Sequence, residues 1–137
     1  MDFLFVYGTL RSDYGHPLGR LLEENATFLG SGHVNGYLYD LGEYPGIKLD
    51  AAAEARVIGE IYRLRLANKI LTELDKYEGV SESYTPDFPY RRIADTVFLA
   101  GERYPNVWIY EYQGDTVGLP RILDGDYLAY LREKGAK

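Results

Sequence analysis

Phe3-Leu4-Phe5-Val6-Tyr7-Gly8-Thr9-Leu10-Arg11 is the stretch on which the fold turns. Phe3 to Tyr7 is a continuous apolar run with no polar alternation, and such a run reads as a strand buried centrally in a sheet. Gly8-Thr9 then breaks the pattern. A strand that stops at a glycine-containing turn can present consecutive backbone N–H groups, and such concave arrays bind carboxylates and other anions. Gly8 carries no Cβ, so a ligand could approach the backbone closely there. Taken locally, an ordinary strand-to-loop turn is the simpler account, because the glycine pattern is shorter than a P-loop or dinucleotide fingerprint.

Working outward, Arg11 to Pro17 is loop-like, and Pro17 suits the first turn of a short helix through Leu18, Leu21 and Leu22. Phe28 to Leu41 scatters glycines among β-formers; Gly36-Tyr37-Leu38-Tyr39 reads as strand and Gly42-Glu43-Tyr44-Pro45-Gly46 as the turn that ends it. Ala55 to Leu64 is a second clear strand. Ala67 to Tyr77 is the strongest helix, since Ile70, Leu71, Leu74 and Tyr77 fall at three- and four-residue steps and Gly79 is placed to stop it. Ser81 to Pro89 reads as a surface loop. Tyr90 to Leu99 and Asn106 to Tyr112 form a hairpin around Gly101, with Val107 and Ile109 alternating against Trp108 and Tyr110. Asp124-Gly125-Asp126 precedes a last short helix carrying Tyr127, Leu128 and Leu131. There is no internal repeat and no linker, so the expectation is one domain over residues 1–137 of class α+β, its sheet curling into a small barrel around the apolar first strand.

Composition narrows the function. The 137 residues are 46% hydrophobic and 26% charged, a globular balance able to build one core. A net charge of −6 argues against nucleic acid or an anionic membrane as the main partner, and Arg91-Arg92 is too short to be a basic patch. With no cysteine, disulfides and thiolate chemistry are excluded. No apolar run is long enough for a signal peptide or a membrane span, so the chain is expected to be soluble and cytoplasmic. Fourteen tyrosines fit an aromatic-rich β structure; Tyr37, Tyr39, Tyr44, Tyr62, Tyr110 and Tyr112 are expected in the core and pocket walls.

The remaining chemistry is that of carboxylates. Glu78 stands just past the strong helix, with Asp75 three residues earlier on roughly the same helical face. A carboxylate in an apolar mouth or beside a second one becomes a usable proton shuttle near neutral pH. Alternatively, Asp75, Lys76 and Glu78 are simply the solvated end of a helix. His16 and His33 have no companion ligands for a metal, and Ser12, Ser31, Ser81 and Ser83 stand in no nucleophile pattern. Paired carboxylates also serve glycosidases, but at this length the sugar cleft would have to be small.

Taken in order, several short motifs resemble one family over nearly the whole chain. They are Val6-Tyr7-Gly8-Thr9-Leu10-Arg11, Gly36-Tyr37-Leu38-Tyr39, Tyr44-Pro45-Gly46 and Val57-Ile58-Gly59-Glu60-Ile61-Tyr62. Leu74-Asp75-Lys76-Tyr77-Glu78-Gly79, Tyr90-Arg91-Arg92, Trp108-Ile109-Tyr110-Glu111-Tyr112 and Ile122-Leu123-Asp124-Gly125-Asp126-Tyr127 complete the series. The ordered set resembles the γ-glutamylcyclotransferase-like proteins of the AIG2-like group.

That resemblance implies a small mixed-sheet β-barrel flanked by helices. It implies a substrate-binding turn at Tyr7, Gly8, Thr9 and Leu10, acting largely through its backbone, and Glu78 as the catalytic proton carrier. The implied reaction releases 5-oxoproline from a small γ-glutamyl amine or γ-glutamyl amino acid, with no metal or organic cofactor. The family's Tyr-x-Arg element usually follows the acidic motif closely, whereas here Tyr90-Arg91-Arg92 comes after Ser81 to Pro89, and Tyr84 competes for equivalence; no role passes to either. A non-catalytic module binding a small carboxylated metabolite on the same scaffold is the competing reading, and a different carboxylate-dependent hydrolase the third.

Overall fold

The computed structural model describes residues 2–8, 17–42, 44–78 and 89–135, with the backbone alone at 17, 18, 77, 78 and 135. Among them run β1 (Phe3–Val6), α1 (Pro17–Asn25), β2 (Ala26–Asp40), β3 (Pro45–Leu49) and β4 (Arg56–Leu64). They are followed by α2 (Ala67–Glu78), β5 (Tyr90–Leu99), β6 (Glu102–Tyr112) and α3 (Tyr127–Gly135).

Five strands close a ring in the order β1, β4, β2, β3, β6 and back to β1. β1 lies antiparallel to β4, with Leu4 opposite Tyr62 and Val6 opposite Glu60, and parallel to β6 at Leu4 and Trp108. β3 is also parallel to β6, at Ile47 and Glu111, so the barrel is mixed. β5 stays outside the ring, paired along β6 and meeting β2 at His33 and Phe98. The expected α+β barrel with flanking helices is the architecture present.

Period-two alternation sorts the side chains into two cores. Phe5, Val34, Leu38, Ile47, Val57, Ile61, Val107 and Ile109 fill one, to which α3 adds Tyr127 and Leu128. Leu4, Val6, Tyr62, Leu64 and Tyr110 point the other way, where Leu22 of α1 and Ile70, Leu71 and Leu74 of α2 cover them. β1 is therefore buried on both faces, which is why its sequence shows no alternation.

Several elements differ from the sequence expectation. β2 is one 15-residue strand, longer than the short segment around Tyr37 and Leu38. Its glycines stand where neighbours leave no space: a Cβ on Gly32 would lie 2.6 Å from the Phe98 carbonyl oxygen. β3 occupies the end of what reads as a turn, and β6 begins at Glu102 rather than at Asn106. The β5–β6 hairpin turns at Ala100 and Gly101, both at positive φ (51° and 82°), as a tight two-residue connection requires. α2 includes Glu78 as its last residue. The Arg11-to-Pro17 loop falls outside the described residues apart from Pro17, as do the Gly79 stop and residues 81–88 of the Ser81-to-Pro89 loop.

The tyrosine expectation holds in part. Tyr62, Tyr110 and Tyr112 are buried. Tyr37 and Tyr39 are half-buried, with Arg121 stacked over Tyr37, and Tyr44 is 42% exposed at the mouth of β3. Tyr7, Tyr90 and Tyr127 take buried places instead, because their strand or helix faces point into a core.

Candidate active site

Tyr7 follows the last residue of β1, and its buried hydroxyl donates a hydrogen bond to the Tyr110 carbonyl of β6. The next residue, Gly8, lies against Pro45, the first residue of β3. A Cβ on Gly8 would sit 3.0 Å from Pro45 Cγ, tighter than ordinary contact, so glycine lets the end of β1 close on the start of β3. Tyr90 grips Pro45 through a hydrogen bond from its hydroxyl to the Pro45 carbonyl, and its ring packs edge-on to Tyr112 at 6.1 Å. Thr9 and Leu10, the other half of the expected binding turn, fall outside the described residues.

The second half of the site is α2. Its apolar stripe of Ile70, Leu71 and Leu74 seats it on the barrel wall and brings Asp75 to the edge of the contact. The guanidinium of Arg92 donates from Nε to Asp75 Oδ1 at 2.8 Å and from Nη2 to Oδ2 at 3.1 Å. Tyr110 donates its hydroxyl to the same Oδ1 at 2.7 Å. Arg92 in turn stacks over Trp108, 4.2 Å from the ring centroid. Bidentate pairing fixes orientation as well as charge, and both Asp75 oxygens are engaged by donors. Asp75 is therefore an anchor rather than a solvated charge, and the pairing with Glu78 that its spacing allows involves a side chain outside the described residues. The solvated description fits its neighbours Glu73 and Lys76, an exposed pair 3.9 Å apart.

Glu78 follows one turn later as the terminal residue of α2; its side chain lies outside the described residues. Tyr110 thus joins the strand end at Tyr7, through its carbonyl, to the helix that ends at Glu78, through its hydroxyl. Beside this junction, Asn68, Leu71, Thr72, Arg92 and Trp108 line an open depression of about 440 Å³ along α2.

Arg92, Trp108 and the hydroxyl of Tyr110 had no assigned role in the sequence. One signal was available: alternation sends Tyr90 and Arg92 to one face of β5 and leaves Arg91 exposed. Nothing local tied Arg92 to Asp75, 17 residues away. His16 is outside the described residues. His33 stacks on Phe98 at 5.2 Å; burial, with the charge of Arg56, lowers its pKa from the ordinary value. Among the described residues no group of three or more His, Cys, Asp or Glu is arranged to hold a metal, and no helix is long and apolar enough to cross a membrane.

A five-stranded mixed barrel with the apolar first strand in its wall, and with the residue after that strand and a flanking helix both tied to Tyr110, defines a class of protein. The family model described as "Gamma-glutamyl cyclotransferase, AIG2-like" matches residues 4–129, and the chain belongs to that family. Among solved structures, the chain is similar to the protein ytfP from Escherichia coli at 32% identity and TM-score 0.60, covering 93% of this chain and 97% of that one. An AIG2-like protein from Mus musculus is similar at 26% identity and TM-score 0.67, with 93% and 88% of the chains covered. YkqA from Bacillus subtilis shares the fold at 20% identity and TM-score 0.73; the match takes in 99% of this chain but only 43% of YkqA. No curated protein matches the chain.

Proposed function

We infer that the protein is a cyclotransferase that releases 5-oxoproline from a small γ-glutamyl amine or γ-glutamyl amino acid, with Glu78 as the proton carrier. The observation that carries this reading is the Tyr110 junction. In a member of this family, it couples the end of β1, at the turn read as binding substrate, to the helix that terminates in the acid.

The chemistry needs little more than these parts. A γ-glutamyl compound contains its own nucleophile, the α-amine, and its own electrophile, the γ-carbonyl carbon. Folding the chain between them closes a five-membered ring, and holding that geometry supplies much of the acceleration. Glu78 removes a proton from the α-ammonium, and the amine nitrogen attacks the γ-carbonyl carbon. N–H donors of the turn at residues 7–10 hold the α-carboxylate and the developing oxyanion. The γ-carbon–nitrogen bond to the leaving amine then breaks as Glu78 returns the proton to that nitrogen, and the second proton of the ring nitrogen passes through the same carboxylate to the released amine, which departs as an ammonium. One carboxylate serves every transfer. Atoms balance with no oxidant, reductant or water.

The test is mass-spectrometric detection of 5-oxoproline after incubating the protein with a panel of γ-glutamyl amines and dipeptides. Product from at least one of them supports the reading and identifies the leaving group. Saturable binding of these compounds without product would favour a metabolite-binding module on the same scaffold.

A further inference from the structure

The last turn of a helix leaves carbonyls without intrahelical partners and frays unless something outside holds it. In α2 the outside hold is specific. Asp75, one turn before Glu78, is gripped by Arg92 from β5 and by Tyr110 from β6. The side chains of Asp75 and Arg92 are 28% and 22% exposed, so the pair is screened by solvent less than a surface ion pair. Trp108 backs the guanidinium and limits its rotation. The same Tyr110 fixes Tyr7 through its carbonyl, so one residue sets the distance between strand end and helix end.

We propose that Asp75, Arg92 and Tyr110 form a positioning clamp that holds Glu78 in register with the turn after β1. This rests on the reading of Glu78 as the proton carrier. Asp75 is a positioning residue: its oxygens accept from Arg92 and Tyr110, and its effect on turnover passes through the helix end. Residues three apart on a helix share a face, so a shift of Asp75 carries Glu78 with it. Proton transfer needs its partners within hydrogen-bond reach, which makes turnover sensitive to such a shift while substrate binding at the turn is not.

The experiment compares Asp75→Asn, Tyr110→Phe, their double variant, Arg92→Lys and Glu78→Gln, each checked for folding by circular dichroism. Steady-state kinetics are run on the best γ-glutamyl substrate, and amide hydrogen exchange is followed in residues 75–78. Asp75→Asn and Tyr110→Phe should each lower kcat by roughly tenfold to a hundredfold, the range expected for a misplacement of about 1 Å, with KM unchanged. The double variant should be no worse than the weaker single, because the groups act as a unit. Arg92→Lys, which keeps the charge but loses the fork, should fall on the same side. Exchange in residues 75–78 should quicken in all four clamp variants without any substrate present.

Parent-like kcat in Asp75→Asn, a loss carried by KM, additive losses in the double variant, or unaltered exchange would each overturn the clamp. Full activity in Glu78→Gln would instead overturn the assignment of the proton carrier. An inactive parent would remove the cyclotransferase reading and the clamp's catalytic purpose with it, and exchange would then report the helix hold alone.

Discussion

Tyr110 donates its hydroxyl to Asp75 Oδ1 at 2.7 Å across 35 residues of sequence, and this bond joins the outer wall of the barrel to the helix that ends at Glu78. Because the Tyr110 carbonyl accepts the Tyr7 hydroxyl, the motif that contains Tyr7 and the motif that contains Asp75 meet on one residue. Their relative placement is a property of β6, a strand that neither motif contains.

Gly8→Ala tests the turn. The new Cβ would lie 3.0 Å from Pro45 Cγ and 3.3 Å from Pro45 Cδ, and Pro45 is itself held by Tyr90. The turn must therefore move, and its N–H groups with it. We expect KM for the γ-glutamyl substrate to rise more than kcat falls. Unchanged KM would show that the turn does not bind substrate.

Gly59→Ala tests the barrel. A Cβ there would stand 2.5 Å from Phe5 Cζ and 2.8 Å from Phe5 Cε1, against a ring with no room to leave the core. Overpacking of this kind costs about 1–3 kcal/mol, to be read as a lower midpoint in urea with an unchanged slope.

Ile109→Ala tests the interior from the opposite side. Ile109 is fully buried in the same core as Phe5 and Ile61. Removing its outer carbons should cost about 2–5 kcal/mol in the same urea measurement, depending on how far the site collapses.

Asp40 should give the fold an acid limb. Burial pushes its carboxyl upward, but hydrogen bonds from the Tyr130 hydroxyl, the Gly42 N–H and Lys134, with the charge of Lys134, outweigh that and hold it below the ordinary 3.8. A carboxyl lowered by folding contributes stability that is complete above its unfolded value and disappears as pH falls through the folded one. Lys134 is raised above its ordinary 10.5, first by its hydrogen bond to Asp40 and then by that residue's charge, so its share is present below 10.5 and lost at still higher pH. Urea unfolding as a function of pH should therefore show a shallower decline below about pH 4 in Asp40→Asn than in the parent. Equal slopes would contradict the assignment.

How far the sequence reveals this depends on whether the determining contacts are local. β1 is legible because burial on both faces removes alternation, and α2 because Ile70, Leu71 and Leu74 repeat along one stripe. β2 is obscured by Gly30, Gly32 and Gly36: Gly32 and Gly36 are demanded by the close passage of Phe98 and Lys48, partners far away in the chain. β3 is short and begins with Pro45, whose residue type points to a turn. For the site, the types at Tyr7, Gly8 and Glu78 are visible as motifs. The Asp75–Arg92–Tyr110 contacts are not, since they cross from α2 to two strands that follow it. Asp40 is similar: its buried position on β2 makes sense only once α3 supplies Tyr130 and Lys134.

The central claim is that Glu78 carries the proton in a ring-closing release of 5-oxoproline. The most direct test is the rate of 5-oxoproline formation by the parent and by Glu78→Gln under identical conditions, with substrate binding to both measured by calorimetry. The account predicts product from the parent, undiminished binding by the variant, and a rate loss in the variant of about a hundredfold or more, as expected when a general acid–base is removed. Formation of 5-oxoproline by Glu78→Gln at the parent rate would contradict it.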